Sequence, residues 1–165
     1  MNSTEFLVQV LSPHEWTRWR DLRLASLEFD AHAFGSNYEL EASWTNEDWM
    51  SKVSVFAPVV ASQGSLDVAM MSVENLSGDF GATCWIGGCW VRPEYRNRGV
   101  LRTLFEYLDS QATSRDWSVQ GLGVWEDNVA AIAAYEQLGF ANRGEPMPSS
   151  RQPGKFYQRM IRQTR

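Results

Sequence analysis

Apolar residues recur at two different periods along the chain, and each change of period marks an element. Phe6 to Leu11 (FLVQVL) reads as a first strand. At Ser12 the period lengthens. Trp16, Trp19, Leu22, Leu24 and Leu27 recur at helical spacing behind Ser12 as N-cap, Pro13 at the first helical position and Glu15 at the third, which predicts a helix through about Glu28. A second, shorter helix is predicted from near Thr45, where Thr-x-x-Asp has the form of a cap, to about Val53.

The period then shortens. Val53 to Ser62 (VSVFAPVVAS), Leu66 to Val73 (LDVAMMSV) and Thr83 to Val91 (TCWIGGCWV) are apolar runs separated by the turn-formers Gln63-Gly64-Ser65 and Ser77-Gly78-Asp79. They read as three strands of an antiparallel meander. Leu101, Leu104, Phe105 and Leu108 form one stripe of a helix predicted from about Val100 to Ser114. A strand near Ser118 to Val124, a helix from about Asn128 to Leu138 and a last strand around Lys155 to Ile161 complete the order β-α-α-β-β-β-α-β-α-β. No repeat, low-complexity tract or long linker divides the chain, so a single mixed α/β domain over residues 1–165 is expected.

Composition narrows the classes of function. The chain has 165 residues, 44% of them hydrophobic, and eight tryptophans, enough for a sizeable core. A net charge of -5 argues against a general nucleic-acid binder, which needs a basic face. No run approaches the ~18 apolar residues of a membrane span, and MNSTEFLVQVLSPHEW lacks the form of a secretory signal, so a cytoplasmic location is expected. Cys84 and Cys89 lie in one predicted strand, about 16 Å apart at ~3.3 Å per residue, which is too far to bridge. With His14 and His32 as the only histidines and no ligand spacing, no metal site is expected.

Against that negative background one stretch stands out: VRPEYRNRGVLRTLFEYL, residues 91 to 108. It crowds Arg92, Arg96, Arg98 and Arg102 around Gly99, where a strand hands over to a helix. Main-chain N–H groups at a helix N-terminus, with the helix dipole behind them, form an anion site, and flanking arginines suit a ligand bearing phosphates. A plain turn with solvated arginines is the alternative.

The stretch VRPEYRNRGV resembles the Val-x-Pro-x-Tyr-Arg-x-x-Gly signature of the GNAT superfamily of acyl-CoA-dependent N-acyltransferases. About thirty residues on, Asn128 to Phe140 (NVAAIAAYEQLGF) is similar to that family's Asn-x-x-Ala-Ile-x-x-Tyr-x-x-x-Gly-Phe. Two motifs in order and at the family's spacing are far more specific than either alone. The resemblance implies a mixed, mostly antiparallel sheet of six to seven strands flanked by about four helices.

It further implies acetyl-CoA as co-substrate. The pyrophosphate would lie on the amides of Asn97, Arg98, Gly99, Val100, Leu101 and Arg102, and the pantetheine arm along the main chain of Cys89, Trp90 and Val91. Asn128 would bond that arm or a neighbouring water. Tyr135 would give its proton to the departing CoA thiolate. Leu101 departs from the family pattern, which has Gly or Ala there.

The general base is not legible. Relatives carry a glutamate at the position of Trp85 or, in enzymes acting on protein N-termini, at that of Gly123; neither is acidic here, which counts against a close peptide N-terminal acetylase. Glu126 is the candidate, with Asp127, Glu39, Glu41 and Asp30 as other carboxylates that would act through water. Residues 28 to 50 mix Phe29, Phe34, Tyr38, Trp44 and Trp49 with carboxylates. Phe34, Tyr38 and Glu41 are the candidate acceptor residues, suited to an amine with an apolar portion; aromatics filling the core are the alternative.

The reading is therefore direct acetyl transfer from acetyl-CoA to a primary amine, of a small molecule or a peptide, with a homodimer possible and neither nucleic acid nor membrane as partner. A non-catalytic acyl-CoA sensor of the same fold and a phosphate-binding or RNA-contacting module are the alternatives.

Overall fold

A computed structural model describes residues 6–164 of the chain. Its strands follow one order, β1-β2-β3-β4-β5-β7-β6, in a mixed, mostly antiparallel seven-stranded sheet. Two compact units divide the contacts: residues 1–74 with 88–107, and residues 75–87 with 108–165. Strand β4 (Cys84–Val91) belongs to both.

The first unit holds β1 (Leu7–Val10), α1 (Trp16–Phe29), α2 (Tyr38–Ala42), α3 (Asn46–Val55), β2 (Pro58–Gln63), β3 (Leu66–Asn75, through Glu74), the end of β4 and most of α4 (Val100–Ser110). Local chemistry sets its helix starts. Before α1, the Glu15 carboxylate accepts from the Ser12 main-chain N–H at 3.1 Å and from its hydroxyl at 3.0 Å. At α3, Thr45 Oγ1 accepts from Asp48 N–H at 3.1 Å while Asp48 accepts from Thr45 N–H at 2.9 Å, a reciprocal capping box.

The core of this unit comes from the stripes those helices present. Leu11, Trp19, Leu22, Trp49, Val53, Val60, Met70 and Trp90 are buried together, with Trp19 edge-on to Trp49 at 5.6 Å. Each such side chain contributes roughly 1.5–3 kcal/mol on burial. Residues Val53 to Val55, expected in a strand, instead finish α3. Val53 is buried one turn after Trp49, so the helical stripe outlasts the apolar run's resemblance to a strand, and β2 starts only at Pro58.

The second unit holds the start of β4, α5 (Ala112–Arg115), β5 (Val119–Trp125), α6 (Val129–Gln137), β6 (Ala141–Pro148) and β7 (Phe156–Gln163). Strand β4 runs parallel to β5, and their pairing covers Cys84↔Gln120, Trp85↔Gly121 and Ile86↔Leu122. The whole of β5 pairs antiparallel with β7, and β7 with β6. The helix expected to run to Ser114 stops at Ser110, and a short second helix follows Gln111.

Strand β6 is absent from the predicted order. Its sequence, ANRGEPMP, carries Gly144, Pro146 and Pro148 and has no apolar alternation; pairing with β7 makes it a strand, and its outer position tolerates the prolines. Both cysteines are thiols, and burial, aided by the charge of Asp116, pushes the Cys84 thiol up to about 12. Among the described residues no helix is long and apolar enough to cross a membrane, and no cluster of three or more His, Cys, Asp or Glu side chains has the form of a metal site.

Candidate active site

In the first unit the arginine-rich stretch leaves β4 at Val91, passes a short 3-10 turn at Pro93–Tyr95 and enters α4 at Val100. Asn97 and Gly99 hold left-handed backbone, φ 63° and 80°, which turns the chain tightly between them. The helical ladder opens with Thr103 N–H donating to Gly99 C=O at 3.0 Å, and the Thr103 hydroxyl donates to the same oxygen. The amides of Asn97, Arg98, Gly99, Val100, Leu101 and Arg102 thus precede the ladder and have no main-chain partner among the described residues. They head an 11-residue helix whose dipole favours an anion at this end.

The four arginines divide. Arg92 donates through Nε to Asp67 C=O at 2.7 Å, and Arg96 donates to Val91 C=O at 2.9 Å and to Asp30 at 2.8 Å. These two fasten the turn. Arg98 stacks over Tyr95 at 5.2 Å and is exposed, as is Arg102, so these two remain to face an anion. Leu101 is half-buried.

Asp30, at the end of α1, accepts from both Arg96 and the Trp90 indole N–H, the latter at 2.7 Å. Burial alone would raise its pKa, but those hydrogen bonds and the charge of Arg96 outweigh it and hold the carboxyl below its ordinary value. A depressed carboxylate is a weaker base, and this one already holds two donors. Trp90 itself is core, so only its main chain is available to a ligand.

The acceptor candidates of the first unit separate as well. Trp44 and Trp49 pack in the core, at 4.8 Å from each other, whereas Phe29 and Tyr38 are exposed. Glu41 is only 2% exposed. Its two oxygens accept from Arg23 Nε at 2.8 Å and Nη2 at 3.0 Å, and the Arg23 guanidinium lies over the Phe34 ring at 5.0 Å. Phe34 and Glu41 are thereby brought together around a residue the sequence reading passed over. The signal was available: Arg23 sits four residues after Trp19 and four before Leu27, a charge on the apolar stripe of α1.

In the second unit, Asn128 is the N-cap of α6, its side-chain oxygen accepting from Ala131 N–H at 3.2 Å. Tyr135 lies in the last turns of the same helix, half-buried, edge-on to Phe140 at 5.8 Å. Glu126 and Asp127 follow β5 and are exposed; Glu126 N–H donates to Phe156 C=O. Trp85 lies flat over Gly121, where any β-carbon would overlap its ring, and Tyr157 covers Gly123, where a β-carbon would stand 3.1 Å from Tyr157 Cδ2. Both positions at which the resemblance points to an acid are thus built around aromatic packing. The Trp125 indole N–H and Arg159 Nε are buried there without a hydrogen-bond partner among the described residues.

The sequence profile of the Acetyltransferase (GNAT) family matches residues 16–140. The [ribosomal protein bS18]-alanine N-acetyltransferase of Escherichia coli K12 is 42% identical over 50 residues, 30% of this chain; the match spans only about a third, 34%, of that enzyme's length. Among solved structures, the putative acetyltransferase YncA of Salmonella typhimurium with acetyl-CoA superposes with a TM-score of 0.74 at 16% identity, covering 98% of this chain and 95% of that one. A GNAT-family acetyltransferase of Streptococcus pneumoniae gives a TM-score of 0.76 at 16% identity, covering 98% and 100%. At such identities these superpositions speak for the fold. The family profile covers most of the chain, including both motifs, and on that match the chain belongs to the GNAT family of acetyltransferases.

Proposed function

We propose that the chain is an acyl-CoA-dependent N-acetyltransferase, acting as one domain over its length, that passes an acetyl group from acetyl-CoA directly to a primary amine. The observation that carries this is the run of amides from Asn97 to Arg102, ahead of the α4 ladder and flanked by exposed Arg98 and Arg102. A pyrophosphate fits such a run because each amide offers a donor and the helix end adds partial positive charge. Family membership and neighbours determined with acetyl-CoA or coenzyme A support the same ligand.

In the step itself the amine nitrogen forms a bond to the thioester carbon, the C–S bond breaks, and the sulfur leaves as a thiolate. Tyr135 supplies the proton that the thiolate takes, and is restored through solvent by the second proton, which the nitrogen sheds as it becomes an amide. The ammonium proton of the acceptor passes to water, with Glu126, exposed just past the end of β5, as the carboxylate that takes it up. Cys84, with its thiol pushed up to about 12, is unsuited to act as a nucleophile, in keeping with direct transfer. The acceptor is a primary amine of a small molecule or a peptide; the partial match to a ribosomal-protein alanine acetyltransferase keeps peptide amines in the range.

Two measurements test the reading. Acetyl-CoA titrated into labelled protein is expected to shift the amide signals of residues 97–102 saturably; undisturbed signals sink the proposal. Release of coenzyme A thiol is then followed over a panel of amines. Tyr135→Phe is expected to lower kcat about 100-fold or more with the acetyl-CoA affinity retained. Saturable binding without release on any amine assigns the chain to the acyl-CoA sensor class instead.

A further inference from the structure

We propose that Arg23 selects the acceptor, and that the acceptor is a primary amine that also carries a carboxylate. The inference deepens the acetyl-transfer reading and rests on it. An arginine on the apolar stripe of α1 is an expensive choice, because a buried ion pair seldom stabilises a fold more than well-packed apolar residues of the same volume. The geometry around Arg23 gives it another use.

Glu41 holds one edge of the guanidinium through Nε and Nη2, and the Phe34 ring lies beneath its plane. Two groups thus fix the orientation of a side chain that is otherwise long and mobile. The remaining corner, Nη1, makes no hydrogen bond among the described residues and is not sealed from solvent. It is directed at β4: a β-carbon on Gly88 would stand 3.0 Å from Nη1.

Gly88 has φ 58°, a left-handed conformation inside a strand that L side chains rarely adopt. Any larger residue there would be strained and would crowd Nη1. The glycine, one residue before Cys89, keeps this edge of the arginine open where the thioester arm is proposed to run.

A guanidinium edge that is oriented, partly desolvated and next to the strand proposed to carry the thioester is suited to one ligand chemistry. It donates to an anionic oxygen, and carboxylates take such charge-assisted bonds at roughly twice the strength of neutral ones. Glu41 occupies the opposite edge, so Nη1 is the corner left to an acceptor, and a neutral oxygen there gains less than a carboxylate does. An amine whose carboxylate meets Nη1 is held by its non-reacting end while its nitrogen is turned to the thioester carbon.

The test compares amines that differ only in that group: L-phenylalanine, L-phenylalaninamide and 2-phenylethylamine, with glycine and methylamine as a smaller pair, by kcat/KM for coenzyme A release. The native protein is expected to favour the carboxylate member of each pair at least 10-fold. Arg23→Gln alone strands Glu41, so the informative variant is Arg23→Gln with Glu41→Gln. It is expected to lose the preference, by a fall of roughly 10- to 100-fold on the acids and little change on the amines, with the acetyl-CoA KM unchanged. As a readout that needs no turnover, N-acetyl-L-phenylalanine is expected to shift the Gly88 amide signal in the native protein and not in the double variant.

Turnover without a carboxylate preference, or a preference that survives the double variant, overturns this proposal and leaves acetyl transfer standing. Absence of turnover on every amine, with amides 97–102 silent to acetyl-CoA, brings down both.

Discussion

Individual side chains account for the departures of this chain from its relatives. The Trp85 ring takes the space that a side chain on Gly121 would fill. The two residues are paired across β4 and β5, so they must be read together. Gly121→Ala is expected to cost about 1–3 kcal/mol in denaturant unfolding, as for other overpacked sites, and clearly less in a Trp85→Leu background. Equal costs in the two backgrounds would show that the indole is not what excludes the methyl group. Neither member of this pair announces the other in the sequence, where they lie far apart. The same holds for Arg23 and Glu41, whose bond depends on how α1 and α2 pack. Residue identities were legible there; partnerships were not.

Elements were legible where a local cap or a sustained period specified them. Thr45 and Asp48 announce α3 because their two hydrogen bonds span only three residues. The arginine-glycine turn was legible for a similar reason, since Gly99 and the start of the α4 stripe lie side by side. Strand β6 was not, because its pairing with β7 does for it what its own residues do not. Helix α6 carries a test at this scale. Asn128 caps it and is also proposed to reach the pantetheine arm, two roles that use different atoms of one amide. Asn128→Asp keeps the oxygen that accepts from Ala131 N–H and adds charge favourable to the helix dipole, while removing the Nδ2 donors. Its stability is expected to stay within about 0.5 kcal/mol of the native value, with the acetyl-CoA KM raised several-fold; Asn128→Ala is expected to lose about 1 kcal/mol as well. An unchanged KM in the aspartate variant removes the ligand role and leaves only the cap.

For the molecule as a whole, carboxylates with depressed pKa values set the response to acid. Asp30 is one; Glu15 is another, held down chiefly by the Ser12 main-chain N–H, with the Ser12 hydroxyl and Arg18 assisting against burial. Groups whose folded pKa lies below the unfolded one stabilise the fold fully above the ordinary carboxylate range, near pH 4, and lose that contribution as pH falls through the folded values. The thermal midpoint is therefore expected to hold steady from pH 7 towards 5 and to drop below about pH 4, with a shallower drop in Asp30→Asn. A limb of unchanged slope in that variant would remove Asp30 from the acid response. Fold class and family were both legible at this scale, since two motifs and the element order point the same way. The division of β4 between two compact units was not, because it arises from how strands share contacts rather than from any break in the sequence.

Asp30 receives the Trp90 indole and the Arg96 guanidinium on one carboxylate, and so makes the end of the first helix and the arginine-glycine bend a single mechanical joint. Natural drift can retune either side of such a joint only by changing both at once. A chain that traded Arg96 for a neutral residue would leave the aspartate with the Trp90 indole alone, and the loss would be felt at the end of α1 as well as at the bend.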